Sequence, residues 1–476
     1  MPGSRRITDE GVEMAIAEKP GEARSPGITY QQLLDADTHP VPDILREERP
    51  LFLGDHDVSI QRYISREWHE LEKERLWSRV WQFACRTEHI PEVGDTFVYD
   101  IAGRSYVIVR TAPDTVKAYP NACLHRGRQL RDYPGRCSEL RCAFHGFAWS
   151  LDGELADVPA RWDFPHVDEA EWRLPEVQAD TWQGFVMINP DLDAPPLAEY
   201  LGEVGDHFLR WDLEHRYVQA HVAKVIEANW KIAQEAFCEA YHVGATHPQA
   251  SAYLGDTNTQ VDVWDNLCRA ITPGLTPSPL LDWEPTEDEM LRYSLDVRVD
   301  EDPFLEILEG ETARSASARR AREQWRPTVG DSVDQWSDAE FMDSIDYTVF
   351  PNFHPWGAYN RITYRFRPNG DDHRSSIMEV FFLAPFRGER PPPAEMRMLD
   401  ADEPWTNATE LGMLAKVFQQ DTFNMARVQT GLEATRKPGI TLGNYMESKI
   451  RWLHHRLGEF IGDNDVEGRP VEVRRG

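Results

Sequence analysis

The sequence predicts an α+β protein with a small antiparallel β domain and a larger domain in which helices flank a mostly antiparallel sheet. Three observations support this prediction. A chain of 476 residues with 41% hydrophobic content is long enough for more than one core. Segments rich in β-branched and aromatic residues cluster between residues 82 and 190 and stop at the Pro-rich stretch NPDLDAPPLAEY. From residue 191 onward, β-rich segments alternate with segments of helical spacing.

Two segments precede the β domain. Residues 1–45 are polar and punctuated by Gly and Pro, which predicts an N-terminal extension, partly disordered, without visible chemistry. Residues 46–81 are expected to be a helical segment that packs on the larger domain. In this segment the apolar side chains after Ser65, a plausible N-cap, recur near helical spacing.

The β domain is predicted to span residues 82–190. Its strands are expected at TFVYDI, SYVIVR, DTVKAY and GFVMIN, with Ala102 and Gly103 forming a turn between the first two.

The larger domain, residues 191–476, starts with a strand at YVQAHVAKVIEA and a helix at NWKIAQEAFCEAY. Residues 272–340 are polar and charged with few periodic signals, which predicts a variable insertion or lid. Three strands (DYTVF, NRITYRFRP and SIMEVFFLAPF) follow, the last two joined by a turn at residues 369–372. Helices are expected at residues 403–429 and 448–461.

Charge and composition exclude several classes of function. The net charge of −30 and the pI near 4.9 argue against binding nucleic acid or an anionic membrane. The sequence has no apolar window of transmembrane length and no signal-peptide core, so a cytoplasmic protein is expected. In that compartment the six cysteines are expected to be thiols or metal ligands rather than disulfides.

Two cysteine–histidine pairs form the first candidate site. Cys123 and His125 lie in NACLHRGRQL, and Cys142 and His145 lie in RCAFHGFAWS. Two thiolates and two imidazoles could hold one tetrahedral zinc ion. However, each segment supplies one cysteine and one histidine, and this mixed pairing is typical of a two-iron cluster in which one iron takes both thiolates and the other both imidazoles.

The flanking residues extend the pattern. His125 is followed by Arg126 and Gly127, His145 by Gly146, and the second segment closes with Leu-Asp-Gly at residues 151–153. Together with the four ligands, this resembles the Rieske [2Fe-2S] domain. The family's respiratory members add one disulfide-forming cysteine to each loop, and Arg128 and Phe144 stand at those positions here. The resemblance is therefore to the oxygenase or ferredoxin type.

The second candidate site is in NWKIAQEAFCEAYHVGATHP, where Glu239, His242 and His247 are spaced by three and five residues. On one unbroken helix the first spacing keeps two side chains on one face, whereas the second turns His247 about 140° away. We therefore expect the helix to end or distort at Gly244 so that His247 can fold back. Two neutral imidazoles and one carboxylate leave open positions on ferrous iron.

With this segment included, residues 65 to 460 resemble the α (oxygenase) subunit of Rieske non-heme iron oxygenases of the aromatic ring-hydroxylating type. The resemblance implies that Asp421, in QQDTFNMARVQTGL, is the third ligand of a mononuclear Fe(2+) with His242 and His247. It also implies that Glu239 bridges His242 to a Rieske histidine of a neighbouring subunit and carries electrons between them. Many members have Asp at this position, so the longer Glu leaves the bridge geometry and a dioxygenase outcome open.

The resemblance further implies a terminal oxygenase that hydroxylates an aromatic or other hydrophobic substrate with O2. Electrons would come from NAD(P)H through a separate reductase, with or without a ferredoxin, and the subunits would form a homotrimer or an α3β3 assembly. The alternatives are a monooxygenase or demethylase acting on a non-aromatic or quaternary-amine substrate, an electron-transfer protein, and an iron-free binding subunit. Apolar residues near the second site could line a substrate pocket or belong to the core: Phe237, Val243, Phe350, Phe353, Trp356 and Phe418.

Overall fold

A computed structural model describes residues 21–297 and 305–462, and the first 20 residues of the expected extension lie outside the described residues. Within residues 82–189 the chain forms three small antiparallel sheets. In sheet order, their strands are Thr115–Pro120, Arg104–Ala112, Asp95–Ile101 and Gly135–Arg136 in the first; Gln178–Trp182, Phe185–Asn189 and Gln82–Arg86 in the second; and Leu140–Arg141, Ala148–Trp149 and Leu155–Asp157 in the third.

The larger domain is built on an eight-stranded sheet that is antiparallel except for one parallel strand at its edge. In sheet order, its strands are Gln260–Val263, Leu267–Thr272, Ser344–Val349, Phe353–Pro355, Ile362–Asn369, Asp372–Pro385, Arg216–Ile226 and, in parallel, Arg397–Leu399. A separate two-stranded pair joins Val58–Ser59 to Gly439–Ile440.

Helices surround these sheets. They are Tyr30–Asp35, Asp43–Arg46, Gln61–Ile64, Arg66–Leu71, Leu197–Leu201, Val204–His207, Trp230–Glu235, Val243–Thr246, Glu287–Leu295, Ala313–Val329, Asp338–Met342, Leu414–Ala434 and Ser448–Ile461. A π-helical turn, Glu72–Leu76, continues the helix Arg66–Leu71. None of the described helices has both the length and the apolar character needed to cross a membrane.

Most of the predicted elements are confirmed. Ser65 caps its helix by accepting a hydrogen bond from the Trp68 amide. Ala102 and Gly103 form the predicted turn, both with positive φ. The pairing of Asn369 with Asp372 confirms the turn between the two long strands. The last predicted helix has the predicted bounds, Ser448–Ile461.

The structure corrects one prediction and adds to two others. Within the described part of the N-terminal extension, Tyr30, Leu34 and Leu45 are buried in the main core. The helix expected from residue 403 begins only at Leu414, because Gly412, with a φ of 57°, interrupts the chain before it. The described part of residues 272–340 includes the 17-residue helix Ala313–Val329, which the few periodic signals of this stretch do not indicate.

The segment of residues 46–81 is tied to the larger domain by a buried carboxylate. Glu72 lies in the π-helical turn and contacts Lys231 at 2.5 Å, and both side chains are fully buried. The Glu72 carboxylate also accepts hydrogen bonds from the indole nitrogens of Trp68 and Trp230, each at 3.0 Å. These contacts fix the start of the helix Trp230–Glu235, which leads to Glu239 and His242.

Candidate metal centres

The loops that carry Cys123 and Cys142 repeat one backbone arrangement. In each loop the cysteine amide donates to the carbonyl five residues later, Arg128 or Phe147, at 2.8 Å. The amide of the glycine four residues after each cysteine, Gly127 or Gly146, donates back to the cysteine carbonyl. Both glycines have positive φ, 76° and 84°, a conformation that favours glycine. The two pentapeptides, CLHRG and CAFHG, are therefore closely similar turns that face each other.

The four candidate ligands separate into an inner and an outer pair. Cys123 and Cys142 are buried in a core shared with Phe147 and Trp149, whereas His125 is half-buried and His145 is exposed. The imidazole centroids of His125 and His145 lie 4.7 Å apart. Burial raises the pKa of Cys123, and its neighbour Cys142 raises it further.

This donor set fits a Rieske cluster. The two thiols lie together on the core side and the two imidazoles lie together toward solvent, which matches a cluster with one thiolate-bound and one imidazole-bound iron.

The second site is built on a broken helix. Asn229 is the N-cap of the helix Trp230–Glu235, and its side-chain oxygen accepts a hydrogen bond from the Lys231 amide at 3.1 Å. The helix tightens at its end, because the amides of Phe237 and Cys238 bond to carbonyls only three residues back. The expected single helix through Glu239 and His242 with a break at Gly244 is therefore wrong. The chain leaves the helix before Glu239, and Gly244 lies inside the short helix Val243–Thr246.

Glu239 holds His242 through two hydrogen bonds. One carboxylate oxygen, Oε2, accepts from the His242 backbone amide at 3.0 Å, and Oε1 contacts the ring Nδ1 at 2.8 Å. With Nδ1–H donating to the carboxylate, the opposite ring nitrogen, Nε2, is the one that would bind a metal ion.

His247 directly follows the short helix and turns toward Asp421 on the helix Leu414–Ala434. Its Nε2 lies 2.7 Å from Asp421 Oδ1, and the Nε2 of His242 lies 3.5 Å from the same oxygen. One donor atom from each of the three residues lies within 4.8 Å of the other two.

Charge in this group is strongly coupled. Burial lowers the pKa of His242, but hydrogen bonds to Asp421 and Glu239 outweigh it and raise the value to about 10. Burial raises the pKa of Asp421, yet the bonds to His242 and His247 lower it below the usual value. A carboxylate held ionised between two imidazoles is suited to bind a divalent cation.

Gln429 links the helix of Asp421 to the helix that leads to His242. Its side-chain oxygen accepts from the backbone amide of Asn229 at 2.9 Å. Since Asn229 is also the N-cap of Trp230–Glu235, a single amide side chain sets the spacing of the two helices.

The donor set fits a mononuclear iron. Two imidazoles and one carboxylate are the protein ligands of non-heme ferrous oxygenase sites. In this chain each imidazole directs Nε2 to the carboxylate while its Nδ1 bonds another side chain.

Comparisons with known proteins agree with both donor sets. Residues 80–168 match the model of the Rieske [2Fe-2S] domain. Residues 208–463, more than half of the chain, match the model of the ring hydroxylating alpha subunit (catalytic domain). The chain belongs to the ring-hydroxylating alpha subunit family.

Curated relatives of this alpha subunit match over about two fifths of the chain. It is 32% identical over 191 residues to the benzene 1,2-dioxygenase subunit alpha of Pseudomonas putida, and the match covers 39% of this chain and 42% of the relative. It is 33% identical over 198 residues to the biphenyl dioxygenase subunit alpha of Paraburkholderia xenovorans, covering 39% and 43%. The matches thus span less than half of the length of these relatives.

Solved structures share the fold over most of the chain. A naphthalene 1,2-dioxygenase bound to phenanthrene has a TM-score of 0.60 at 17% identity, and the match covers 87% of this chain and 94% of that one. The quaternary ammonium Rieske monooxygenase CntA, in complex with an inhibitor, also has a TM-score of 0.60, at 16% identity and with 85% and 95% covered.

The structure of this alpha subunit also separates the candidate pocket residues. Phe237, Tyr364 and Phe418 form one aromatic cluster. The ring centroid of Phe237 lies 5.0 Å from that of Tyr364 and 6.0 Å from that of Phe418, and Trp356 packs against Tyr364. Val243 is buried beside His242. Phe350 and Phe353 belong instead to the core that joins the two domains. Of the two alternatives that the sequence leaves open, pocket or core, the structure places these two residues in the core.

Sequence reasoning missed one partner of the alpha subunit's second site. Gln420 lies 2.9 Å from the Nδ1 of His247. Its position directly before Asp421 was the only signal, and on a helix an adjacent residue normally points elsewhere.

Proposed function

We propose that the protein is the terminal oxygenase component of a Rieske system. It would use O2 and electrons from NAD(P)H, delivered by a separate reductase or ferredoxin, to hydroxylate an aromatic or other hydrophobic substrate. One observation carries this proposal: His242, His247 and Asp421 bring a donor atom each within 4.8 Å of one another, in a chain that also has a Rieske domain.

In this proposal His242, His247 and Asp421 hold the mononuclear iron, and Cys123, His125, Cys142 and His145 hold the [2Fe-2S] cluster. The cluster would store one electron, and the iron would activate O2 next to the substrate. The protein's own part is to fix each imidazole through its Nδ1 and to keep Asp421 ionised. The aromatic cluster of Phe237, Tyr364 and Phe418 would exclude water from the substrate.

We propose Glu239 as the bridge to a Rieske histidine of a neighbouring subunit in a homotrimer or α3β3 assembly. Its side chain is 10% exposed and already engages His242. Apolar side chains exposed near the cluster loops support a partner at that surface: Trp162 is 83%, Tyr133 71% and Phe144 56% exposed. These side chains would be covered by another subunit or by the electron donor.

We also propose that residues 272–340 act as a variable lid over the substrate. The helix Glu287–Leu295 lies against the turn Pro248–Ala250, which directly follows His247. A shift of that helix would therefore displace the turn next to His247, a proposed iron ligand.

Iron analysis and product analysis test the proposal. Anaerobically purified protein should contain three irons per chain and, after reduction, the paramagnetic signal of a Rieske cluster. With a reductase, it should incorporate oxygen from labelled O2 into members of a panel of aromatic acids, hydrocarbons and quaternary amines. Two irons per chain without oxygen incorporation would instead indicate an electron-transfer protein or a binding subunit.

The same products separate the possible reactions. Two labelled oxygen atoms on adjacent carbons identify dihydroxylation, whereas one labelled atom or loss of an alkyl group identifies monooxygenation or dealkylation. The ligand set is shared by these reactions, so the choice lies in the substrate cavity.

A further inference from the structure

The two histidines of the proposed iron site have different outer partners. The Nδ1 of His242 bonds the carboxylate of Glu239, whereas the Nδ1 of His247 bonds the amide oxygen of Gln420 at 2.9 Å. A ring nitrogen that faces an amide oxygen must carry the proton in order to form a hydrogen bond. The Nε2 of His247, which lies 2.7 Å from Asp421 Oδ1, is then the nitrogen that would exchange its proton for a metal ion.

A second glutamine fixes the direction of this amide. The Nε2 of Gln249 donates to Gln420 Oε1 at 3.0 Å, so this oxygen accepts from two donors. Rotation of the Gln420 amide by half a turn would place its NH2 group against both the Gln249 NH2 and the His247 Nδ1–H. The opposing donors make that orientation unfavourable.

The position of Gln420 connects a buried group to the surface. His247 is 5% exposed, Gln420 is half-buried and Gln249 is exposed. On its outer side, Gln420 borders an open recess of about 400 Å³ that is also lined by Thr246, Phe423 and Asn424. The hydrogen bond to Gln420 therefore orients His247 from outside the core.

We propose that Gln420 is a positioning residue that sets the tautomer and ring orientation of His247, and that Gln249 fixes the Gln420 amide. The inference rests on the proposed function, because it assigns His247 to a metal. The negatively charged Glu239 carboxylate lies beside the imidazole of His242, whereas the imidazole of His247 has the neutral Gln420 amide as its partner. His247 is therefore the weaker electron donor of the two, and its orientation depends on geometry more than on charge.

Iron release from the whole protein tests this inference without relying on turnover. Wild type and variants are incubated anaerobically with a strong ferrous chelator, and the loss of the mononuclear iron is followed while the visible absorbance of the cluster is recorded. In Gln420→Leu the acceptor is absent, and we expect iron release to be about 10- to 100-fold faster than in wild type.

Three further variants define the role. Gln420→Glu keeps an acceptor oxygen at the same place, so it should restore retention to the wild-type level or better. Gln249→Ala removes only the group that fixes the amide and should accelerate release less than Gln420→Leu. Gln419→Leu is the matched control, because Gln419 bonds the Trp405 backbone amide at 2.9 Å rather than a histidine. It should lower the thermal midpoint without accelerating release.

The outcomes separate this inference from the function on which it rests. If wild type binds no third iron, the proposed function fails. If wild type binds it and Gln420→Leu releases it no faster than Gln419→Leu, the role of Gln420 is wrong and the iron site stands. Failure of Gln420→Glu to restore retention, with a thermal midpoint like that of wild type, would also overturn the role.

Discussion

The two candidate metal centres of this chain are constructed in contrasting ways. The cluster residues come from two short loops 19 residues apart that repeat the same turn, with their thiols buried and their imidazoles outward. The iron residues come from a broken helix and from a helix 174 residues further along the chain. The first centre depends mainly on local backbone geometry. The second depends on long-range contacts that hold two helices at the correct spacing, including Gln429 with Asn229 and Glu72 with Lys231.

The largest effect is expected for a substitution that removes the iron site and leaves the cluster in place. Asp421→Ala removes the carboxylate to which both imidazoles point, so the mononuclear iron should be lost and oxygen incorporation should fall by more than about 100-fold. The cluster loops contact neither Asp421 nor its helix among the described hydrogen bonds, so the Rieske signal should persist. Iron analysis and the spectrum of the reduced protein provide the measurement. Simultaneous loss of the cluster would show that the centres are not independent.

This contrast also explains what the sequence could predict. The sequence predicts Cys123, His125, Cys142 and His145 as one site because their short spacings and the glycines after them can be read directly from it. The sequence also predicts His242 and His247 as a pair. It places the helix break at Gly244, because spacing does not reveal that the amides of Phe237 and Cys238 tighten the helix earlier. Asp421 came only from the family pattern. Gln420 could not be predicted, because its contact with His247 exists only once the distant helix is in place.

A buried ion pair provides the next test of the long-range contacts. Lys231→Met leaves the Glu72 carboxylate buried with only its two indole donors, so the free energy of unfolding should fall by about 3–5 kcal/mol. Denaturant unfolding followed by tryptophan fluorescence measures this change. The double variant with Glu72→Gln should recover part of the loss, because no unpaired charge then remains. A single variant as stable as wild type would mean that this pair does not hold the segment 46–81 in place.

The carboxylate next to His242 is expected to have a smaller, functional effect. Glu239→Gln cannot accept both hydrogen bonds from His242, and it removes a charge beside the imidazole. Oxygen incorporation should fall about 10- to 100-fold while the iron content and the cluster spectrum are retained. Steady-state turnover with a reductase is the measurement, and Glu227→Gln, an exposed glutamate just before the helix, is the control. Equal turnover in both variants would remove Glu239 from the proposed function.

The smallest effect is expected for glycine substitutions in the two cluster loops, which can be compared with each other. Gly127→Ala and Gly146→Ala each place a side chain at positive φ, which should cost about 1–2 kcal/mol. At Gly127 an added Cβ meets no heavy atom within 4 Å, whereas at Gly146 it comes within 3.1 Å of Pro159 Cγ. Gly146→Ala should therefore have the lower thermal midpoint and lose the cluster absorbance faster. The two loops have the same pattern of backbone hydrogen bonds. Equal thermal midpoints of the two variants would therefore show that the positive φ alone determines the destabilisation and that Pro159 moves aside without an energetic cost.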